Sequence, residues 1–318
     1  MATESNDTKG YSGKFLGTLI AALVLVLLVG YLYFFQIRKA NEEEKQRVFP
    51  AVNQGQIDEI VLKYPSYKLV CRKDDEKWFI FEDPKKFKAD DKIISNMAET
   101  ISQMKVEKVV SEDVKELAGF GLDNPEAEVN VKTPGKEYCI LVGSESPTGS
   151  GRYIRVDKDS RIILVNEKSV EGFLRKSASD LRDKRIVSLE KVDALEIERG
   201  DTRISITKKG NNWEVDGDEK IRVDESKVQE LLKGIEGLEV EKFVDDNPND
   251  LAQYGLDNPT IQIAISDAKK KKTLLFGKKE GKKVYAKLVD AKSVYLVGDY
   301  ILSKIPFSKE ELLTSGKK

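Results

Sequence analysis

The sequence predicts an α+β protein, in which one N-terminal transmembrane helix precedes two tandem duplicated domains of mainly antiparallel sheet with packed helices. Three observations lead there. Phe15 to Ile37, FLGTLIAALVLVLLVGYLYFFQI, carries no charge. The remainder matches itself at a nearly constant offset, so that Gly121 recurs as Gly255 among the same neighbours (255 − 121 = 134). Within each copy, short apolar runs bounded by polar turns outnumber helical patterns.

The anchor comes first. At about 1.5 Å per residue the uncharged stretch spans roughly 34 Å as a helix, enough for a bilayer core of about 30 Å. Leu19 to Val29 is wholly Leu, Val, Ile and Ala, and Tyr31, Tyr33, Phe34 and Phe35 form an aromatic belt before Arg38 and Lys39. A cleaved signal peptide is the alternative, but the apolar core exceeds a typical h-region and no small-x-small cleavage site follows. The predicted organisation is a tail over 1–14, a span over 15–37, a juxtamembrane linker over 38–56, repeat domain A over 57–188 and repeat domain B over 189–318.

The repeat is dense. Phe120-Gly121-Leu122-Asp123-Asn124-Pro125 returns as Tyr254-Gly255-Leu256-Asp257-Asn258-Pro259, Val106-Glu107-Lys108 as Val240-Glu241-Lys242, and Trp78 as Trp213. A period this long means two tandem domains rather than a solenoid. Copy A predicts strands over Ile57–Leu62, Tyr67–Cys71 and Lys77–Phe81. A helix follows, capped by Asp90, with Ile93, Ile94, Met97, Ala98, Ile101 and Met104 on one stripe. Then come a strand over Val106–Val110, a short helix over Val114–Ala118, the GLDNP turn and a hairpin of Ala127–Val131 with Tyr138–Val142. Strands over Tyr153–Val156 and Ile162–Val165 and a last helix over Lys168–Lys176 complete the copy. Copy B repeats the plan, with Asp224 capping the stripe Val228, Leu231, Leu232, Ile235 and Leu238.

Composition narrows the chemistry. Lys plus Arg is 54 and Asp plus Glu is 55, a balance unlike a general nucleic-acid binder. There is no histidine, which removes Ser-His-Asp and Cys-His catalysis and histidine-ligated metals. Cys71 and Cys139 lack zinc or CxxC spacing and read as free thiols, with a disulfide open if their strands are neighbours in an exported domain.

Taken together, the anchor ending in tyrosines and phenylalanines, Trp78, the VEK strand, the GLDNP turn, the Val142-Gly143 hairpin, the Pro147-Thr148-Gly149-Ser150-Gly151 loop and the Asp180-Leu181-Arg182-Asp183-Lys184-Arg185-Ile186 segment resemble the bacterial family catalogued as domain of unknown function 4340. The resemblance runs from Phe15 to the C-terminus. It implies a bacterial, single-pass, mostly extracytoplasmic protein, often found with gliding-motility-type ABC transporters, and brings no catalytic residues with it. The flank charges (Lys9 and Lys14 against Arg38, Lys39, Lys45 and Arg47) count instead toward a cytoplasmic C-terminal part.

Two constellations stand out. The turns Gly121-Leu122-Asp123-Asn124-Pro125 and Gly255-Leu256-Asp257-Asn258-Pro259 read as structural, because glycine permits positive φ and one carboxylate per turn is too few for calcium. Lys269, Lys270, Lys271, Lys272, Lys278, Lys279, Lys282 and Lys283 lie around one hairpin of copy B, as a solvated face or as a contact for an anionic partner or lipid head group. The expectation is a non-catalytic membrane-anchored binding or scaffold protein, without cofactor or metal, accessory to an ABC-type transporter permease, a companion subunit or an envelope complex. A carboxylate-dependent surface hydrolase acting on glycans, and a small-ligand module between the repeats, are the alternatives.

Overall fold

The computed structural model describes residues 12–82, 84–112, 117–157, 159–189, 191–216, 218–267 and 270–313. Residues 1–11 of the expected tail and Val114 to Glu116 of the expected short helix lie outside them. Helix α1 (Ser12–Lys45) is followed by two compact units that divide between Leu181 and Arg182.

Unit 1 is built on β1 (Glu59–Lys63), β2 (Lys68–Asp74), β3 (Lys77–Glu82), β4 (Lys85–Lys88), β5 (Lys108–Ser111), β6 (Ala127–Thr133), β7 (Lys136–Glu145), β8 (Arg152–Val156) and β9 (Ile162–Val165). Their order across the sheet is β4-β3-β2-β1-β6-β7-β8-β9-β5, and every neighbouring pair is antiparallel. Unit 2 is built on β10 (Ala194–Arg199), β11 (Thr202–Lys209), β12 (Asn212–Val215), β13 (Asp218–Arg222), β14 (Lys242–Asp245), β15 (Ile261–Ser266), β16 (Lys271–Glu280), β17 (Lys283–Leu288) and β18 (Val294–Gly298). Its order, β13-β12-β11-β10-β15-β16-β17-β18-β14, is that of unit 1 strand for strand. The duplication read from sequence is therefore a duplication of topology.

One helix per unit covers one sheet face. In unit 1 this is α2 (Asp91–Gln103), where the Asp90 carboxylate accepts from Lys92 N (2.9 Å) and Ile93 N (3.2 Å). Ile94, Met97, Ala98 and Ile101 form its buried stripe. They share a core with Ile60, Leu62, Leu69, Cys71, Val129, Val131 and Ile140 from alternate positions of β1, β2, β6 and β7. After β9 come α3 (Lys168–Glu171) and α4 (Ala178–Leu181). In unit 2 the covering helix is α5 (Glu225–Glu236), capped by Asp224 on Ser226 N at 2.9 Å, with Val228, Leu231, Leu232 and Ile235 buried.

Three expectations need correcting. The 38–56 stretch is not a linker: α1 continues to Lys45, Arg47 bridges Lys105, Val48 N donates to Met104 O (2.8 Å), and Phe49 and Val52 join the core. The start of copy B does the same. Arg185 bridges Glu239, Val240 N donates to Lys184 O (2.8 Å), and Ile186 and Val187 are buried, so unit 2 begins at Arg182 rather than 189. Each lead-in makes an isolated bridge too short to show periodicity. The helix expected over Lys168–Lys176 is shorter: α3 ends at Glu171, Arg175 stands at φ 52°, and α4 begins beyond the expected range at Ala178. The edge strands β4 and β13 were not anticipated. Their sequences, KKFK and DEKIR, carry one apolar residue each, too few to show an alternating period.

Candidate functional site

The GLDNP turns end a short 3₁₀ segment in each unit, Ala118–Phe120 and Ala252–Tyr254. Gly121 (φ 66°) and Gly255 (φ 65°) adopt the left-handed conformation. Gly121 N donates to Ala118 O (3.2 Å) and Leu122 N to Leu117 O (3.0 Å); Gly255 N donates to Ala252 O (3.0 Å) and Leu256 N to Leu251 O (3.1 Å). These paired bonds are a Schellman cap, and the leucine after each glycine supplies its apolar contact. Leu122 and Leu256 are each 2% exposed. The caps sit on the sheet face opposite the covering helix. There Phe120 meets Tyr153 edge-on at 4.9 Å and Tyr254 meets Tyr285 at 5.1 Å. Leu256 and Tyr254 form a second small core with Leu275 and Val294.

A second glycine receives each turn. A Cβ on Gly143 would lie 2.2 Å from Phe120 O, and one on Gly277 2.2 Å from Tyr254 O. The spacing is the same in both copies, 143 − 121 = 22 and 277 − 255 = 22. Both glycines lie where the ladder slips register, between Val142 and Glu145 and between Phe276 and Lys279, and a bulge there aims the strand at the turn. Glu126 N then donates to Val142 O (2.9 Å) and Thr260 N to Phe276 O (2.8 Å), which starts β6 and β15 in register. The recurrence of GLDNP and of the Val142-Gly143 and Phe276-Gly277 pairs has one packing cause. Asp123 accepts from its neighbour Asn124 N at 3.0 Å, a local turn bond.

The lysines do not form one patch. Lys270, Lys271 and Lys272 lie at one end of β16 and Lys278, Lys279, Lys282 and Lys283 at the other, with about 20 Å from Lys272 to Lys278 at strand rise. Consecutive hairpins of an antiparallel sheet turn at opposite ends, which sequence adjacency does not show. Lys269 lies outside the described residues. Lys271 pairs with Glu196 (3.1 Å), Lys279 with Asp299 (2.5 Å) and Lys283 with Glu241 (2.9 Å). Lys272 donates to Ser188 O (2.7 Å), and Lys278 caps the 3₁₀ segment through Ala252 O (2.9 Å).

The cysteines are free. Two strands, β1 and β6, separate β2 from β7. The register that runs from Cys71 through Ile60 and Val131 reaches Tyr138, so Cys139 takes the opposite face. Burial pushes the Cys71 thiol up to about 12 and the Cys139 thiol up to about 11. Neither is poised as a nucleophile.

Buried charge was less legible. Arg152, 7% exposed, bonds Glu126 (2.6 Å), both oxygens of Glu167 and Gly143 O (3.1 Å). Burial alone would lower its pKa, but the carboxylate bonds outweigh it and raise it. This clamp holds β8 to the turn that follows Pro125. Arg182, also 7% exposed, forms two bonds with Asp246 (3.0 and 2.7 Å) and lies 3.7 Å from the Phe243 ring centre. Lys287 donates to Leu288 O (3.0 Å), Val289 O (3.3 Å) and Ala291 O. An arginine between acids looks in sequence like any solvated charge; the flag available was the DLRD segment at the join.

Comparison with protein families finds a match in two tandem segments, residues 78–215 and 213–315, to a domain of unknown function (DUF4340). Both matches open on a strand tryptophan, Trp78 and Trp213, so the family's repeat is phased to the third strand of each unit. Comparisons with curated proteins and with solved structures found no match. With both copies covered from the third strand onward, this chain belongs to the DUF4340 family.

Proposed function

We propose that the protein is a non-catalytic, membrane-anchored scaffold whose two units serve an ABC-type transporter or envelope complex on the extracytoplasmic side. The observation that carries this is the join between helix and sheet. The apolar helix long enough to cross a membrane, Leu19–Lys39, buries none of that window within the protein. A signal sequence would pass the same test of length and composition. Yet α1 runs unbroken to Lys45, and by Arg47 the chain is hydrogen-bonded into unit 1. From Ile37 to Lys45 the stem rises about 12 Å. An anchor joined so closely holds unit 1 near the bilayer surface, which suits a part that must meet a membrane partner.

The interior charges support the same reading. Arg152, Arg182 and Lys287 are each satisfied by carboxylates or carbonyls in arrangements that brace turns. The short edge strands, β4 with Lys85, Lys86 and Lys88 among them, discourage strand addition, so the partner contact is assigned to α1 and the unit surfaces. The test is mild-detergent purification of the tagged full chain from its native membranes, read by mass spectrometry. A stoichiometric permease or companion membrane protein, lost when the two units are deleted, is the expected result. A solitary protein across several detergents and crosslinkers would overturn the proposal.

A further inference from the structure

The two units differ at one place where the repeat predicts sameness. In unit 1 a 3₁₀ turn, Gln54–Gln56, packs against α2. Gln54 Nε2 donates to Ser95 O on α2 (3.0 Å), and Lys73 Nζ donates to Gly55 O (3.4 Å) while lying 5.3 Å from the Trp78 ring centre. This turn plugs the gap between α2 and the β2–β3 hairpin. Unit 2 lacks it. From the lead-in bridge to the start of the first strand unit 1 spends 59 − 47 = 12 residues and unit 2 only 194 − 185 = 9. The difference equals the turn.

What remains in unit 2 is a cavity of about 310 Å³. The residues that held the plug have their counterparts in its wall: Lys73 becomes Lys208 (208 − 73 = 135), Ser95 becomes Gln229 (229 − 95 = 134) and Trp78 becomes Trp213 (213 − 78 = 135). Leu189, Val192 and Leu232 supply apolar wall. Among the described residues Lys191, Lys208, Lys233 and Glu236 line it, and Lys191 also pairs with Asp193 at 3.5 Å. Trp213 is 2% exposed, and its Nε1–H is the buried side-chain polar atom without a hydrogen-bond partner among the described residues.

We propose that unit 2 binds a small carboxylate with a compact apolar body in this cavity, where the plug of unit 1 is missing. The carboxylate takes the place of the Gly55 carbonyl opposite Lys208, and the apolar body lies against Leu189, Val192 and Leu232, beside Trp213. Unit 1, already plugged, does not bind.

The test is titration of the full-length protein in nanodiscs with cyclohexanecarboxylate, read by tryptophan emission and by calorimetry. The chain has two tryptophans, so Trp78→Phe leaves Trp213 as sole reporter and Trp213→Phe is its complement. An emission change that persists in Trp78→Phe and vanishes in Trp213→Phe is expected, with a Kd of about 1 mM for so small a ligand. Lys208→Met weakens binding by about 5- to 10-fold through loss of the charge-assisted bond, and Val192→Phe, which fills the cavity, removes it. Neutral cyclohexylmethanol binds more weakly. The proposal is overturned by an unchanged Trp213 signal up to about 10 mM ligand, by equal binding of the neutral alcohol, or by wild-type binding in both Lys208→Met and Val192→Phe. Should Val192→Phe fail to fold, Lys208→Met at the partly exposed end of β11 decides.

Discussion

Adding one methyl group at Gly143 tests the account of the GLDNP repeat. In Gly143→Ala the new Cβ would sit 2.2 Å from Phe120 O, with two Leu122 side-chain atoms at 3.0 and 3.1 Å. An ordinary contact begins near 3.4 Å, so the turn must retreat by more than an ångström. It is held by the two Schellman bonds and by the Phe120–Tyr153 ring contact. Overpacking of this kind costs about 1–3 kcal/mol, and loss of the ring pair adds about 1 kcal/mol. The sum, about 2–4 kcal/mol, lowers the unit 1 midpoint by about 7–14 °C for a unit of this size. Thermal unfolding in the Trp213→Phe background, where Trp78 reports unit 1, measures it. Gly119→Ala, with nothing within 4 Å of its new Cβ, is the control and stays near wild type. A Gly143→Ala midpoint within about 1 °C of that control would refute the idea that backbone contact sets the shared glycine spacing.

Other expectations follow from single groups. Asp90→Ala removes the acceptor for Lys92 N and Ile93 N and lowers unit 1 stability by about 1 kcal/mol in denaturant titration, whereas Asp90→Asn recovers most of it. Glu128 is held below the usual carboxylate range by hydrogen bonds from Lys63 Nζ (2.6 Å) and Asn130 Nδ2 (2.8 Å). With its folded pKa depressed, its contribution is present above the unfolded value of about 4.3 and is lost as pH falls through the folded one. Glu128→Gln should therefore be less stable than wild type at neutral pH, the gap closing under acid; a constant gap would contradict the linkage. Because burial raises both thiols, iodoacetamide at neutral pH should leave Cys71 unmodified until unit 1 unfolds, and a non-reducing gel should show no internal disulfide in the folded chain. Arg152→Met leaves Glu126 and Glu167 facing one another at side-chain exposures of 37% and 33%, where water screens part of the cost. A loss of about 1–2 kcal/mol in unit 1 unfolding is expected.

The local signals in this chain were strong wherever one residue carried a geometric demand. Asp90 and Asp224 announced two helix starts, Gly121 and Gly255 two left-handed caps, and alternating Ile and Val residues most of the central strands. The uncharged N-terminal run and the offset of 255 − 121 = 134 established a membrane-length helix and a duplication without any coordinates. Features that needed two distant segments to meet stayed hidden. Edge strands KKFK and DEKIR show no apolar period because each has a single apolar residue. The lysines adjacent in sequence separate because an antiparallel strand of that length places its two turns at opposite sheet ends. Gly143 is an ordinary strand residue until the carbonyl of Phe120 is placed against it, and Arg152 an ordinary surface charge until two carboxylates surround it. Sequence determines the backbone preferences that act within a few residues. Which side chains share a cavity, a clamp or a close approach depends on contacts between segments far apart in the chain, and only the folded sheet decides those.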